Sequence, residues 1–496
     1  MAQTTVIADA DWVVGFDGSG HRLIRGGTVA FQGNTITFVG TDYQGPSGRF
    51  IDARGRVVIP GLIDMHSHLA LEARTKGFQD DHGVSRKLWM SGLFEYLPVW
   101  AADDPQGVVD SMRFAVVELL KSGTTTVFDM VWRTFRTPMD WLGDRTLEVL
   151  EQSGLRVFTG PMVRSARWST RNGHEVEYEW DLDAGRQAFR AAVTFAEQQR
   201  GAWGGRLTGA LIPAGTDTIE PDLVPEFMTA AKQLGVPVQI HAAQTVHEHL
   251  VMMRRHGQTP VEFLARRGMV GPQVTLGHGV FLAHHSRIRY PDHDDLGVLA
   301  DTGTNVSYCP WNFARRGWCM ESFGGYLRRG VNVTIGTDTA PHDMMEEMRW
   351  AAMLSKVASQ DAGCPTAAET FTAATLGAAK ALGRDDLGRL APGARADIVV
   401  IDARTMPMRP LRDPVKNLVY YGASRAVESV FIDGRQLVAD GGVPGVDERE
   451  LAECIQGAAD RVLATVPERD WAGRTHEQMS PLSFPLWDPD TEAGRP

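Results

Sequence analysis

Cysteine is scarce in this chain of 496 residues. There are four, Cys309, Cys319, Cys364 and Cys454, with no C-x-x-C pair, which leaves neither a disulfide scaffold nor a zinc ribbon or dithiol redox site. No apolar run approaches the roughly 18 residues that would span a bilayer. Met1-Ala2-Gln3-Thr4-Thr5 lacks the basic start of a secretory signal, and Asp9 and Asp11 interrupt the apolar stretch after it. A cytoplasmic protein without a membrane partner is expected. Positive charge is also short: 50 Lys and Arg stand against 61 Asp and Glu, a formal charge of -11, which disfavours nucleic acid and anionic lipid as partners. No G-x-G-x-x-G opens a helix after an early strand, so a dinucleotide-dependent oxidoreductase does not fit. Repeats of fixed period and low-complexity segments are absent as well.

What is present is a globular composition, 43% hydrophobic and 22% charged, with a change of texture along the chain. Residues 1–58 read as short strands joined by Gly, Asn and Asp turns, among them Thr5-Val6-Ile7-Ala8 and Thr35-Ile36-Thr37-Phe38-Val39. From 59 to 385, helical stretches such as Asp110 to Ser122 and Asp222 to Leu234 precede β-branched runs such as Thr124 to Phe128 and Val236 to Ile240. That alternation predicts a parallel sheet with crossover helices, an α/β fold closed as a TIM-like (β/α)8 barrel. Strand texture returns over 386–445, so the two chain ends are expected to build one small β-sandwich. A C-terminal helix and tail are expected over 446–496.

Chemistry-bearing residues fall at the ends of the predicted barrel strands. Pro60-Gly61-Leu62-Ile63-Asp64-Met65-His66-Ser67-His68 ends an apolar run in two histidines spaced i, i+2, which on a strand share one face. Val236 to His241 and Val274 to His278 each end in histidine, and Asn332 to Asp338 ends in aspartate. Strand ends of one barrel converge on a single mouth, and imidazole with carboxylate suits zinc, iron, cobalt or manganese. One divalent metal ion, zinc first, is the expected cofactor.

With these motifs in view, the sequence resembles the amidohydrolase superfamily, specifically its mononuclear branch of cytosine, guanine and adenosylhomocysteine deaminases and triazine hydrolases. The likeness runs through PGLIDMHSH, Ser122-Gly123-Thr124-Thr125-Thr126, His241-Ala242-Ala243-Gln244, Leu276-Gly277-His278-Gly279, Gly336-Thr337-Asp338 and the stretch from Gly388 to Val399. It implies that His66, His68, His241 and Asp338 bind the metal, that Asp338 accepts a proton from the attacking water, and that His278 holds that water or polarises the substrate. Binuclear members use a lysine of the fourth strand; Leu207 to Gly215 contains none, so one metal is expected.

Two departures bear on the reaction. Deaminases of this branch carry His-x-x-Glu, whose carboxyl shuttles a proton, where this chain has Gln244; they also tend to place a histidine where Ala214 follows Pro213. An amide cannot shuttle that proton. Gln244 either orients the substrate or points away as a helix-start residue. His247 and Glu248 are read as a solvated surface pair, with proton transfer as their other role. His342 is expected on a loop over the site as a substrate contact or shuttle. Aromatic residues expected in mouth loops are Trp89, Phe94, Tyr96, Trp100, Trp132, Trp168, Trp311 and Phe313, with Trp89, Trp132 and Trp311 as substrate-wall candidates. Cys309 is expected to be structural. The expected activity is hydrolysis of a small, fairly apolar amide, carbamate, thiocarbamate or urea-like compound. The alternatives are deamination or dechlorination of a triazine, pterin, purine or pyrimidine, and a non-catalytic structural homologue. A homo-oligomer acting on a small molecule is expected.

Overall fold

The structure is a computed structural model that describes residues 3–70, 73–81, 104–131, 139–172 and 175–487. Among the described residues, eight parallel strands form a barrel. In order around it they are Leu62–Ser67, Thr124–Val131, Arg156–Val163, an interrupted fourth strand of Leu207–Gly209 and Ile212–Pro213, Val238–Ala242, Val274–His278, Asn305–Tyr308 and Val333–Ile335. The first four make one half-sheet and the last four another. Single bridges stitch the halves at two seams: Leu211 with Val238 and Gly215 with His241 at one, Ser67 with Asp338 at the other.

Helices cover the barrel because their apolar faces need the strands beneath. Met112, Ala115 and Leu119 of helix Pro105–Lys121 share one buried core with Val127 and Val157 of the second and third strands. That helix begins before Asp110, the start expected from periodicity. Pro105 supplies its first turn and the Asp104 carboxylate accepts from Gly107 N, a cap that extends it to include Gln106 to Val109. No helix among the described residues is long and apolar enough to cross a membrane.

Both chain ends meet in one eight-stranded sheet that folds over itself as a small sandwich. Arg56–Pro60 runs antiparallel to Ile398–Asp402, which joins the amino-terminal strands to Val427–Ile432 and Arg435–Val438. Strand Thr4–Phe16 pairs first with Arg49–Asp52 and then with Arg56–Pro60, changing register near Asp9, whose φ is 59°. Ile7, Val13, Phe31, Val58, Ile398 and Phe431 fill the space enclosed.

Candidate metal centre

The first barrel strand delivers His66 and the residue after its end delivers His68; the fifth and sixth strands deliver His241 and His278, and Asp338 follows the eighth. All five are buried. Space for His66 is made by two glycines of the neighbouring motifs. A Cβ on Gly277 would lie 2.6 Å from His66 Cε1, and one on Gly336 would lie 2.7 Å from His66 Cβ. Asp338 donates its backbone N–H to His66 O at 2.7 Å and its carbonyl accepts from His68 N at 2.9 Å, so the eighth strand end is locked across the first.

The three imidazoles are fixed through Nδ1. His66 Nδ1 donates to Gln239 Oε1 at 2.6 Å, and the Gln239 amide nitrogen donates to Met65 O at 2.8 Å, which orients that amide oxygen toward the ring. His68 Nδ1 donates to Met130 O at 2.8 Å and His241 Nδ1 to Ala214 O. Each Nε2 is thereby left with its lone pair. Those lone pairs converge: His68 Nε2 lies 3.1 Å from His241 Nε2, and Asp338 Oδ1 lies 3.4 Å from His68 Nε2 and 3.5 Å from His66 Nε2. Facing acceptors at this distance repel, and a cation between them removes the conflict. The spacings match those between ligands bonded at about 2.0–2.2 Å to a zinc-sized ion. His66 Nε2 has no hydrogen-bond partner among the described residues, as that arrangement requires. Burial holds His68 down to about 4 and His241 well below the usual imidazole range, so both are in the neutral, ligating form.

His278 differs in having no hydrogen bond at either ring nitrogen among the described residues. Its φ is 85° and its Nε2 is 4.0 Å from Asp338 Oδ2. A buried imidazole aimed at the centre without a partner among the described residues is available to whatever occupies the mouth. Burial pushes the Asp338 carboxyl up, but the imidazoles of His278, His66 and His68 outweigh it and hold it well below the usual carboxylate range. Its Oδ2 accepts from Asn312 Nδ2, and the Asn312 carbonyl accepts in turn from Arg315 and Arg316.

Asp64 and Gln239 carried no signal in the sequence reading, and Cys309, expected to be structural, lies beside the centre. Asp64 accepts from Thr337 N at 3.1 Å, Thr337 Oγ1 at 2.6 Å and His66 N at 3.1 Å, and burial raises its carboxyl to about 6. Gln239 lies two residues before His241 on the same strand, so the i, i+2 rule places both on one face. The Cys309 thiol lies within 4.8 Å of the ligand atoms of His66, His278 and Asp338; burial, then the charges of Asp338 and Glu347, push it well up and keep it a neutral thiol.

The other predicted residues scatter. Gln244 is half-buried in the turn after His241, and its side chain has no hydrogen bond among the described residues. Glu248 is not on the surface: it is 4% exposed, and its carboxyl accepts from Thr216 Oγ1, Ala243 N and Gln244 N. The surface reading fails because the side chain turns back over the start of its helix. His247 is half-buried and bonds Tyr178 OH at 3.2 Å. His342 lies on the loop after the eighth strand, as expected, but is buried there, with Nδ1 near Thr337 Oγ1 at 3.0 Å and Ser67 Oγ at 3.2 Å. Trp311 is half-buried with its ring 5.7 Å from that of Trp350. Phe313 is buried against the His278 ring at 5.1 Å. Trp168 Nε1 donates to Asp217 Oδ2 at 2.8 Å. Trp89, Phe94, Tyr96, Trp100 and Trp132 lie outside the described residues.

Known proteins resemble this chain over most of its length. The sequence profile of the amidohydrolase family matches residues 57–437. The 5-methylthioadenosine/S-adenosylhomocysteine deaminase of Natronomonas pharaonis is 31% identical over 423 residues, 83% of this chain and 90% of the relative. The 5'-deoxyadenosine deaminase of Methanosarcina mazei is 29% identical over 450 residues, 89% and 95% of the two chains. Among solved structures, an adenosine deaminase from Xanthomonas campestris with bound zinc matches with a TM-score of 0.75 at 25% identity, covering 92% of this chain and 98% of its own. An atrazine chlorohydrolase from Arthrobacter aurescens, complexed with zinc, shares the fold with a TM-score of 0.76 at 22% identity, covering 92% and 100%.

Proposed function

We propose that this chain, which belongs to the amidohydrolase family and is a hydrolase of carbon–nitrogen bonds other than peptide bonds, replaces a substituent on an sp2 carbon of a small, fairly apolar N-heterocycle with hydroxyl. The carrying observation is the set of three imidazoles, each tied at Nδ1 to an oxygen, whose Nε2 atoms converge with Asp338 Oδ1. His66, His68, His241 and Asp338 would hold one divalent ion, with zinc as its identity, in line with the zinc of the matched deaminase structure. When bound, such an ion supplies Lewis acidity and makes a water nucleophile available near neutral pH.

The chain's own residues then divide the proton and orientation work. Asp338, tethered through Oδ2 to Asn312, takes the proton of the attacking water and returns it to the leaving group. His278 offers a ring nitrogen that has no partner among the described residues to the attacking oxygen or the substrate. Gln244 orients the substrate, since its amide donates and accepts hydrogen bonds without carrying a transferable proton. Substituents that leave more readily than ammonia are therefore favoured. The same amide supports a second reading, hydrolysis of a small amide, carbamate, thiocarbamate or urea-like compound whose carbonyl oxygen only needs to be bound.

Metal-loaded protein assayed on purines, pterins, amino- and chlorotriazines, ureas and carbamates, with elemental analysis alongside, tests the proposal. About one equivalent of metal per chain is expected, with turnover of a heterocycle bearing a good leaving group. Asp338→Asn should cut turnover about 10²–10⁴-fold. Turnover of ureas or carbamates alone would transfer the assignment to the second reading, and absence of both metal and turnover would make the chain a structural homologue.

A further inference from the structure

Between His241 and the next helix the backbone takes a conformation that its own residues do not favour. Ala243 has φ 51°, in the left-handed region that costs a side-chain-bearing residue free energy. One flank of the turn is held by the loop after the sixth strand: Ala242 O accepts from Gly279 N at 3.0 Å, and Ala243 O accepts from Val280 N at 3.0 Å and Phe281 N at 2.8 Å. The other flank is held by a single side chain. Glu248, in the first turn of helix Val246–His256, reaches back past the Thr245 cap. Its Oε1 accepts from Ala243 N at 3.1 Å and from Thr216 Oγ1, and its Oε2 accepts from Gln244 N at 2.7 Å.

The Gln244 side chain has no hydrogen bond of its own among the described residues, so its direction is set by the backbone that carries it. We propose that Glu248 is the positioning residue for Gln244, clamping the two consecutive amides of the turn so that the Gln244 amide is presented to the substrate at a fixed place. This rests on the reading of Gln244 as a substrate contact. A glutamate is suited to the task because its two oxygens serve two N–H donors and one hydroxyl at once, whereas a glutamine would offer one oxygen and set its NH₂ against an N–H. Asp217 stands beside the clamp: burial, then the Asp217 charge, push the Glu248 carboxyl up. Trp168 and Tyr178 each donate to Asp217 Oδ2, so that neighbour is itself held.

The test uses Glu248→Gln, Gln244→Ala and the double variant, each metal-loaded. Hydrogen exchange is followed over 241–249, and turnover on whichever substrate the panel yields. Glu248→Gln should speed exchange in that segment about tenfold or more while keeping its metal. It should lower kcat about 10-fold or more with KM changed much less, and the double variant should be no slower than Gln244→Ala. Unchanged exchange overturns the proposal, as do multiplying effects of the two substitutions or a defect restored by excess metal. If Glu248→Gln does not fold, Thr216→Val removes one donor to the same carboxyl and should show the same exchange change at smaller size; no change there also overturns it. The exchange arm needs no substrate, so a clamp confirmed in a chain that turns over nothing would count against the proposed function and not against the clamp.

Discussion

Gln239 and Asp64 are not candidate ligands, yet they decide whether the ligands point anywhere useful. Gln239 fixes the tautomer of His66 and Asp64 pins Thr337 one residue before Asp338. Replacing Gln239 with Leu leaves His66 Nδ1 without its acceptor in a buried position, and metal affinity should fall about 10–100-fold, measured by competition with a chelator. The five histidine and aspartate positions were legible because each ends an apolar run, a pattern that one strand displays by itself. Gln239 obeys the same i, i+2 spacing, but glutamine on a strand carries no comparable chemical signal. Glu248 was misread for a different reason: whether a carboxylate faces solvent or folds back over two amides depends on the turn before the helix, where no periodicity exists. Trp311 against Trp350 is a pairing of residues 39 apart in sequence, set by how two helices pack.

Helix Val246–His256 carries a second buried titratable group on its inward side. His249 is fully buried, its Nδ1 donates to Phe281 O at 3.2 Å, its Nε2 has no partner among the described residues, and its ring lies 5.3 Å from that of Tyr290. Burial lowers it from 6.5 to about 4, so the fold favours the neutral ring. Its contribution is fully present above pH 6.5 and is lost as pH falls from there toward 4. At roughly 1.4 kcal/mol per pH unit the loss by pH 4.5 is about 2 to 3 kcal/mol. Urea unfolding at pH 7.5 and 4.5 should therefore show His249→Gln losing less stability than the parent across that interval by about this amount; equal losses would remove His249 from the acid response. The alternation of helix and strand was readable along the chain, but where elements begin was less so. The start of Pro105–Lys121 depends on one capping aspartate and a proline, which outweigh the apolar spacing further in.

For the whole molecule, the join between barrel and sandwich rests on a buried ion cluster that sequence spacing does not reveal. Arg156 of the third barrel strand is fully buried and meets Asp397 at 3.2 Å and Asp433 at 2.7 Å, both in the returning carboxyl-terminal segment. Arg156→Met would leave the buried Asp397 carboxylate without its cation, while Asp433 keeps Arg395 at 3.6 Å, and should cost about 3–5 kcal/mol, read from the denaturant midpoint. That the two strand-rich ends build one small domain was legible from their shared texture, whereas the pairing of Arg56–Pro60 with Ile398–Asp402 joins strands more than 300 residues apart and is set by tertiary packing that texture does not encode. The two seams of the barrel carry a further meaning. His66 and His68 belong to one half-sheet, His241 and Asp338 to the other, and the bridges that close the ring pass through Gly215 with His241 and Ser67 with Asp338. Neither half owns a site. A chain with only one half in order presents too few donors to hold an ion or direct a reaction, so competence acts as a checksum on closure, and a partly folded copy is chemically silent until the last seam shuts.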